Sequence, residues 1–568
     1  MENRTILLGL DGATFELLDP WLEAGELPHL KRMIDEGVSG ELESCVPPVT
    51  APAWTSFFTG KNPGKHGVFD FVRQDRSTYD FHPVHSGSYR GKTLWEVIGE
   101  QGKRVAVLNV PMTHPAYPVS GVLISDFLLA TAAGRKSHPD GLLREIEEAF
   151  GPYPRETVPP YFAGGYSEES VGRFLREYRD AMEYKFRVAR HLFEREKPDF
   201  LMLHLFGNDQ ICHWLWHMLD AGHPNYREER AKRHRERILE YYRAFDAHVG
   251  SLLEATGEET SLFVVSDHGF GPVYRSIDFN TWLYREGYLA LKRGPSSRLR
   301  RLVWRMGLTP QALMERDWFL RWVMGAFVRL KKRRSGGNVD DLKQAHALLR
   351  LFLSFRDIDW SRTRAFSPFG FGQIRIHVRG QWSQGCVSEG AEYEKTREEI
   401  AEKLRNLTDP DTGEAVDGVV LRREEVYHGD LAAEAPDLLF VPVNGKYRPK
   451  STGFSSRNVF SSAGWMTGIH KMNGILIGRG SPLARGQRLG GVRITDLFPS
   501  VLGLMGLTIP GDLDGRIPDR MFTEAFLKAH PPRWGAPLDE ETGRPAEQGG
   551  GEEDRTVMER LRSLGYLE

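Results

Sequence analysis

The sequence predicts an α/β fold, a three-layer αβα sandwich on a mostly parallel, doubly wound sheet with a helical cap inserted into it. Short apolar runs rich in Val, Ile and Leu recur along the chain, and long helical patterns stand between many of them. Strands buried on both faces read as continuous apolar runs, and helical crossovers are what parallel strands need. Three of the runs are followed directly by an aspartate-bearing turn, which sets ligand-type side chains beyond the carboxyl ends of strands, where open α/β sheets hold ligands.

In chain order, "TILLGL" is the first strand and ends in Asp11-Gly12. The stretch "PPVTAPAWTSFFTGKNPGKHGVFDF", Pro47 to Phe71, then groups the hydroxyls of Thr50, Thr55, Ser56 and Thr59, with Pro52 suited to the first turn of a helix. "RVAVLNV" and "GVLIS" are two further strands. "ESVGRFLREYRDAMEYKFRVARHLFERE" is a helix leading into "DFLMLHLF", after which come Gly207, Asn208 and Asp209. "RERILEYYRAFDAHVGSLLEAT" repeats the arrangement before "SLFVVS" and Asp267-His268-Gly269.

Residues 276–356 break the rhythm with a helical, aromatic and basic stretch, read as a cap inserted between the two parts of the core, 1–275 and 357–530. Trp304, Trp318 and Trp322 are expected to pack on the core, while Lys331–Arg334 and neighbouring cations are open to water, an anionic substrate or an anionic membrane surface. "DIDWSRTRAFSPFGFGQIRIHVRGQW" reads as strands returning to the main body, followed by the strands "DLLFVPV" and "GILIG". Pro, Gly and acidic residues mark 531–555 as a flexible linker, and 556–568 as a closing helix.

Composition narrows the function. The 568 residues are 40% hydrophobic and 27% charged with a formal net charge of -2, which is ordinary globular usage without a pull toward nucleic acid. Three cysteines, Cys45, Cys212 and Cys386, are too few for a disulfide framework. The start, "MENRTILLGLDG", lacks the apolar core and cleavage site of a signal peptide, and no run of about 18 apolar residues occurs. These features predict a cytoplasmic protein of open oligomeric state.

The chemistry-bearing residues gather by position. Asp209 and His213 are four residues apart in "DQICH" and would share one helical face, an arrangement that suits a divalent cation. Asp267 and His268 follow a strand together, and His470 in "GIHKMNGILIG" just precedes one. Each alone has a plain structural reading: Asp11-Gly12 as a turn, Asp209/His213 as a solvated helix-face pair, His470 as a packed histidine. Their common placement at one sheet edge is what favours a site. Cys212 reads as a packing residue, and His204, His217 and His223 as structural or supporting ones.

On the pieces "GLDG", "TAPAWTSFFTGKNPGKHG", "DQICH", "SDHG" and "GIHKMNG", in that order, the chain resembles the alkaline phosphatase superfamily, and within it the type I phosphodiesterase/nucleotide pyrophosphatase family. The resemblance implies an alkaline phosphatase-like fold with two metal ions, usually zinc, with manganese or iron also suited to Asp and His ligands. It implies that Asp11, Asp267, His268 and the nucleophile Thr50 hold one ion, and that Asp209, His213 and His470 hold the other. Thr50 would attack phosphorus as a metal-activated hydroxyl to give a phospho-threonine intermediate. Ala51, Asn208 and Lys471 are the candidate contacts to a small phosphate-ester substrate, whereas His66 is expected to be structural.

Two departures bear on substrate. The family's phosphate-binding Asn, three residues after the nucleophile, is replaced by Ala53, and Trp54 stands where sulfatases of the superfamily carry an Arg. With Thr50 in place of their Cys or Ser, sulfatase action is not expected. A phosphomonoesterase or phosphotransferase would use the same residues, and so would a metal-stabilised binding protein without turnover.

Overall fold

The apolar runs of the sequence become strands of one central sheet. Its nine strands are Arg4–Leu10 (β1), Val38–Glu43 (β2), Val105–Leu108 (β3), Gly121–Ile124 (β4), Ser137–His138 (β5), Phe200–Leu205 (β6), Thr260–Val265 (β7), Asn473–Arg479 (β8) and Gln487–Arg493 (β9). They lie in the order β9-β2-β8-β7-β1-β6-β3-β4-β5. This computed structural model describes residues 4–130, 134–154, 166–309, 312, 352–450, 453–538, 544 and 551–564.

Strand β1 is central. It pairs in parallel with β6, Gly9 opposite His204, and with β7, Gly9 opposite Val265. Every residue of β6 and β7 is buried, as strands covered on both faces require. Three pairings are antiparallel: β8 against β7 and β2, and β5 against β4. The reversal of β8 brings its amino end to the edge where β7, β1 and β6 present their carboxyl ends.

Helices flank this mostly parallel sheet in a three-layer αβα sandwich. The helices Glu168–Glu196 and Glu228–Thr256 pack against each other, and Thr50–Thr59 contacts the helices Leu94–Glu100 and Leu497–Leu504. All ten residues of Thr50–Thr59 are buried. Helix position and core burial therefore hold the first residue of that helix as firmly as any side chain of the sheet.

A second body has its own core. The strands Ala365–Phe366 and Gln373–Ile376, expected to return to the main body, instead belong to a separate antiparallel sheet in the order Ala365–Phe366, Gln373–Ile376, Leu438–Pro442, Gly418–Arg422. The helix Ala391–Arg405 covers this sheet through Ile400 and Leu404, which share a cluster with Ile374, Leu438 and Phe440. Period-two alternation fixes which face of a strand is buried but not which sheet it joins, so the partner was not readable locally.

The described parts of the expected cap, 276–309, 312 and 352–356, hold the helices Phe279–Arg285 and Pro295–Arg305. Ile277, Phe279, Trp282, Leu283 and Trp304 belong to the same second cluster. Trp318, Trp322 and Lys331–Arg334 lie outside the described residues. Within the stretch read as a linker, Arg533–Trp534 pairs with Thr508–Ile509, and Arg544 is buried over the Tyr89 ring. The final helix, Glu552–Leu564, sets Val557 and Leu561 into the main core. No helix among the described residues is long and apolar enough to cross a membrane.

Candidate active site

The sheet topology assembles the site. Asp11 follows β1, Asp267 and His268 follow β7, and Asp209 and His213 lie on the helix Gly207–Leu215 that starts just beyond β6. Gly12, at φ +69°, lets the chain turn immediately after Asp11, where a Cβ would meet the Phe270 ring at 2.7 Å. The ends of β1 and β7 are also stitched together: Gly12 N donates to Asp267 Oδ1 at 3.3 Å and Ala13 N to Ser266 Oγ at 2.8 Å. His470 lies on Gly468–Lys471, a strand paired with Gly269–Pro272, so the ladder itself sets Phe270 opposite His470. Thr50 comes from the segment after β2, at the amino end of its helix.

Two groups of ligand-type side chains result, Asp209–His213–His470 and Asp11–Asp209–His268, the atoms of each within 4.8 Å of one another. All five residues are buried. Asp209 belongs to both groups, which sequence spacing does not reveal. Asp267 and Thr50 adjoin the second: His268 Nε2 is 3.3 Å from Asp267 Oδ2, 3.4 Å from Asp11 Oδ1 and 3.4 Å from Thr50 Oγ1.

The histidine tautomers follow from their other partners. His213 Nδ1 donates to Gly468 O at 3.0 Å, His268 Nδ1 to Gly269 O at 3.1 Å and His470 Nδ1 to Pro48 O at 2.8 Å. A carbonyl can only accept, so each Nδ1 carries a proton and Nε2 is the ring atom turned into the site. His213 Nε2 and His470 Nε2 are then 2.9 Å apart, with Asp209 Oδ1 at 3.4 and 3.1 Å. Three polar atoms this close need a proton or a cation among them.

The carboxylates make the same point. Asp11 Oδ1 and Asp267 Oδ2 are buried without a hydrogen-bond partner among the described residues. Burial and the nearby Asp209 charge push Asp11 up to about 7, and burial with Asp11 and Asp209 raises Asp267 far above the usual carboxylate range. At Asp209 burial acts the same way, but His213 and His470 outweigh it and hold the acid well below its ordinary value. Burial and the neighbouring His470 lower His268 to about 3. Three acids and three imidazoles in one buried space form an oxygen- and nitrogen-rich donor set that fits divalent cations, with Nδ1–carbonyl bonds of the kind that orient metal-binding histidines.

Sequence reasoning noticed Trp54 only as a missing arginine. Its Nε1 donates to Asp11 Oδ2 at 3.0 Å, and His204 Nε2 meets the same oxygen at 2.8 Å. The two donors fix Asp11 so that Oδ1 faces His268. Their proximity follows from the register, because Gly9, opposite His204, has no side chain to keep Trp54 away: a Cβ there would come within 2.7 Å of the indole.

The three expected substrate contacts differ. Ala51 is buried in the first turn of the Thr50–Thr59 helix, whose leading amides lack partners within the helix. Asn208 is engaged at both ends, Nδ2 donating to Asp11 O at 2.6 Å and Oδ1 accepting from Tyr242 at 2.6 Å. Lys471, next to His470 on an alternating strand, pairs with Glu16 at 2.7 Å. Phe371, from the loop before Gln373–Ile376, brings its ring 5.2 Å from that of His470. His66 accepts from Val68 N through Nδ1 at 3.1 Å and meets Ser56 Oγ through Nε2 at 3.0 Å, while Cys212 faces the Tyr242 hydroxyl.

The family model for type I phosphodiesterase / nucleotide pyrophosphatase matches residues 5–452. No curated protein matches the chain in sequence. Among solved structures, phosphonoacetate hydrolase from Sinorhizobium meliloti 1021 in complex with phosphonoformate is similar at 15% identity, covering 88% of this chain and 94% of its own, with a TM-score of 0.48. Human ectonucleotide pyrophosphatase / phosphodiesterase 5 is similar at 12% identity, covering 93% of this chain and 99% of its own, with a TM-score of 0.45.

Proposed function

Because the chain belongs to the type I phosphodiesterase/nucleotide pyrophosphatase family of metal-dependent phosphoric-ester hydrolases, we propose that it cleaves a small phosphodiester or pyrophosphate with Thr50 as nucleophile. The supporting observation is that Thr50 Oγ1, at the amino end of a buried helix, lies 3.4 Å from His268 Nε2 within the ring of ligand-type atoms.

In this reading Asp11, Asp267, His268 and Thr50 Oγ1 would hold one divalent cation, and Asp209, His213 and His470 would hold a second. Zinc suits the mixed oxygen and imidazole donors best, with manganese or iron as alternatives. Bound cations supply Lewis-acid charge that lowers the pKa of a hydroxyl and stabilises oxygens as they gain charge.

Thr50 Oγ1 attacks phosphorus, a new P–O bond forms, the bond to the leaving oxygen breaks in line, and the hydroxyl proton ends on the leaving oxygen. The phosphoryl group is then carried on Thr50 while the first-turn amides, including that of Ala51, donate to a non-bridging oxygen. Water attacks the same phosphorus in the second half, its oxygen joining the phosphate monoester that leaves and one of its protons restoring the threonine hydroxyl. Trp54 and His204 hold Asp11 in place throughout.

The test is nitrophenol release from bis-nitrophenyl phosphate and from nitrophenyl phosphate, with and without a chelator. A chelator-sensitive preference for the diester supports the proposal. Equal or greater activity on the monoester moves the assignment to a phosphomonoesterase or phosphotransferase of the same machinery. No turnover of either ester with zinc or manganese added leaves a metal-stabilised binding protein.

A further inference from the structure

The helix Pro295–Arg305 faces solvent in an unusual way. Its inner side is anchored: Trp304 is buried and donates Nε1–H to Ser456 O at 3.1 Å, while Ser297 and Arg300 both bind the buried Asp357, at 2.7 and 2.6 Å. Its outer side carries Leu299 at 62% exposure and Leu302 at 55%, and Met306, just past the last turn, at 67%. At about 100° per residue these three side chains fall in one sector of roughly 60°, pointing away from Trp304 and Arg300.

The flank beside this stripe is basic. Arg298, Arg301 and Arg305 fall in a second sector of roughly 60° next to it. From Lys292 to Thr309 the chain has six cations and no acidic residue. Arg457 and Arg285 extend the patch: Arg457 donates to Arg305 O at 3.1 Å and Arg285 to Arg457 O at 2.7 Å.

We infer that this helix is an interfacial docking element for an anionic phospholipid surface. Leu299, Leu302 and Met306 would enter the acyl boundary, and Arg298, Arg301 and Arg305 would pair with headgroup phosphates and carboxylates. A nucleic acid would be met by cations interleaved with stacking aromatics, whereas the outward residues here are aliphatic and the one tryptophan of the helix points inward. Bonds to Asp357 and Ser456 keep the apolar stripe presented to the outside without any rearrangement, which is what a surface rather than a pocket requires. The proposal is independent of the hydrolytic reading, since none of these residues belongs to the candidate active site.

The test is sedimentation of the full chain with phosphatidylcholine vesicles, with and without phosphatidylserine. Expected are binding to the phosphatidylserine vesicles alone, loss of binding with added salt, and loss in the triple variant L299S/L302S/M306S. The variant should keep the wild-type melting temperature and ester hydrolysis, because the altered side chains are exposed. R298Q/R301Q, which spares the Arg300–Asp357 pair, should weaken binding about 25-fold, at roughly fivefold for each cation removed near an anionic surface.

Wild-type protein that ignores phosphatidylserine vesicles, or a triple variant that binds them undiminished, would overturn the inference. So would preferential retention on a single-stranded oligonucleotide, or a wild-type dimer that the triple variant converts to monomer, since either assigns the face to another partner.

Discussion

Replacing Trp54 by Phe isolates one interaction in the site. The indole N–H donates to Asp11 Oδ2 at 3.0 Å where both residues are essentially inaccessible to water. Phe retains the aromatic packing, edge-on to Phe57 at 5.7 Å and to His204 at 5.2 Å, and removes only the donor and part of the ring volume. A hydrogen bond to a charged group contributes about 1.5–3 kcal/mol. At about 1.4 kcal/mol per tenfold, the variant should bind the cation at Asp11 roughly 10- to 150-fold more weakly. The cation at His213 and His470 should be affected far less, because neither ring touches Trp54. The assay is titration of chelator-stripped protein with zinc in competition with a chromophoric chelator, read as two binding phases, with metal-free melting curves as a fold control. If W54F binds both equivalents as tightly as wild type while remaining folded, Trp54 does not position Asp11 and the two-donor account of that carboxylate is wrong.

Other outcomes follow from the same geometry. Thr50→Ala should lower kcat roughly a thousandfold or more while metal binding at His213 and His470 persists, and Thr50→Ser should recover part of the activity; full activity in T50A would remove Thr50 as nucleophile. Asp209→Asn should weaken most the cation at His213 and His470, and to a lesser degree the one at Asp11, because Asp209 also lies beside Asp11 and His268; undiminished binding at His213 and His470 would remove Asp209 as a ligand. Chelation should lower the melting temperature, and zinc restore it, since cations relieve the crowding of Asp11, Asp209 and Asp267; unchanged melting would mean the site binds none in solution. His66 is lowered by burial from an ordinary 6.5 to about 3. A depressed folded-state pKa means that the unfolded chain takes up the proton first as pH falls, so stability is full above 6.5 and declines from there toward 3. At pH 5 the share of this residue is ~2 kcal/mol, and a His66→Gln variant should show a flatter denaturation midpoint between pH 7 and 5; an unchanged slope would exclude it.

What could be read from sequence divides along physical lines. Asp11, Asp209 and Asp267 were legible because each follows an apolar run, and parallel strands put their ends on one edge whatever the distances in sequence. His213 was legible through helical spacing. His470 precedes its strand, and only the reversal of β8 brings that end to the site. Trp54 and His204 were not assigned their contact with Asp11, because it arises from a missing Cβ at Gly9 and a register between distant segments. The second sheet is not legible for a related cause: Gln373–Ile376 alternates like any half-buried strand, and its pairing with Leu438–Pro442 depends on contacts some sixty residues away.

The three Nδ1–carbonyl bonds tie the imidazoles to Pro48, Gly468 and Gly269, segments far apart along the chain. During synthesis, residue 11 emerges early and residue 470 only after most of the polypeptide exists. Until then the carboxylates of Asp11, Asp209 and Asp267 have no complete cage. Metal acquisition at the proposed site would thus come late in biogenesis: a chain truncated before the Gly468–Lys471 strand would lack His470 and expose its acids to solvent, and loading with metal would report that this strand has paired with Gly269–Pro272.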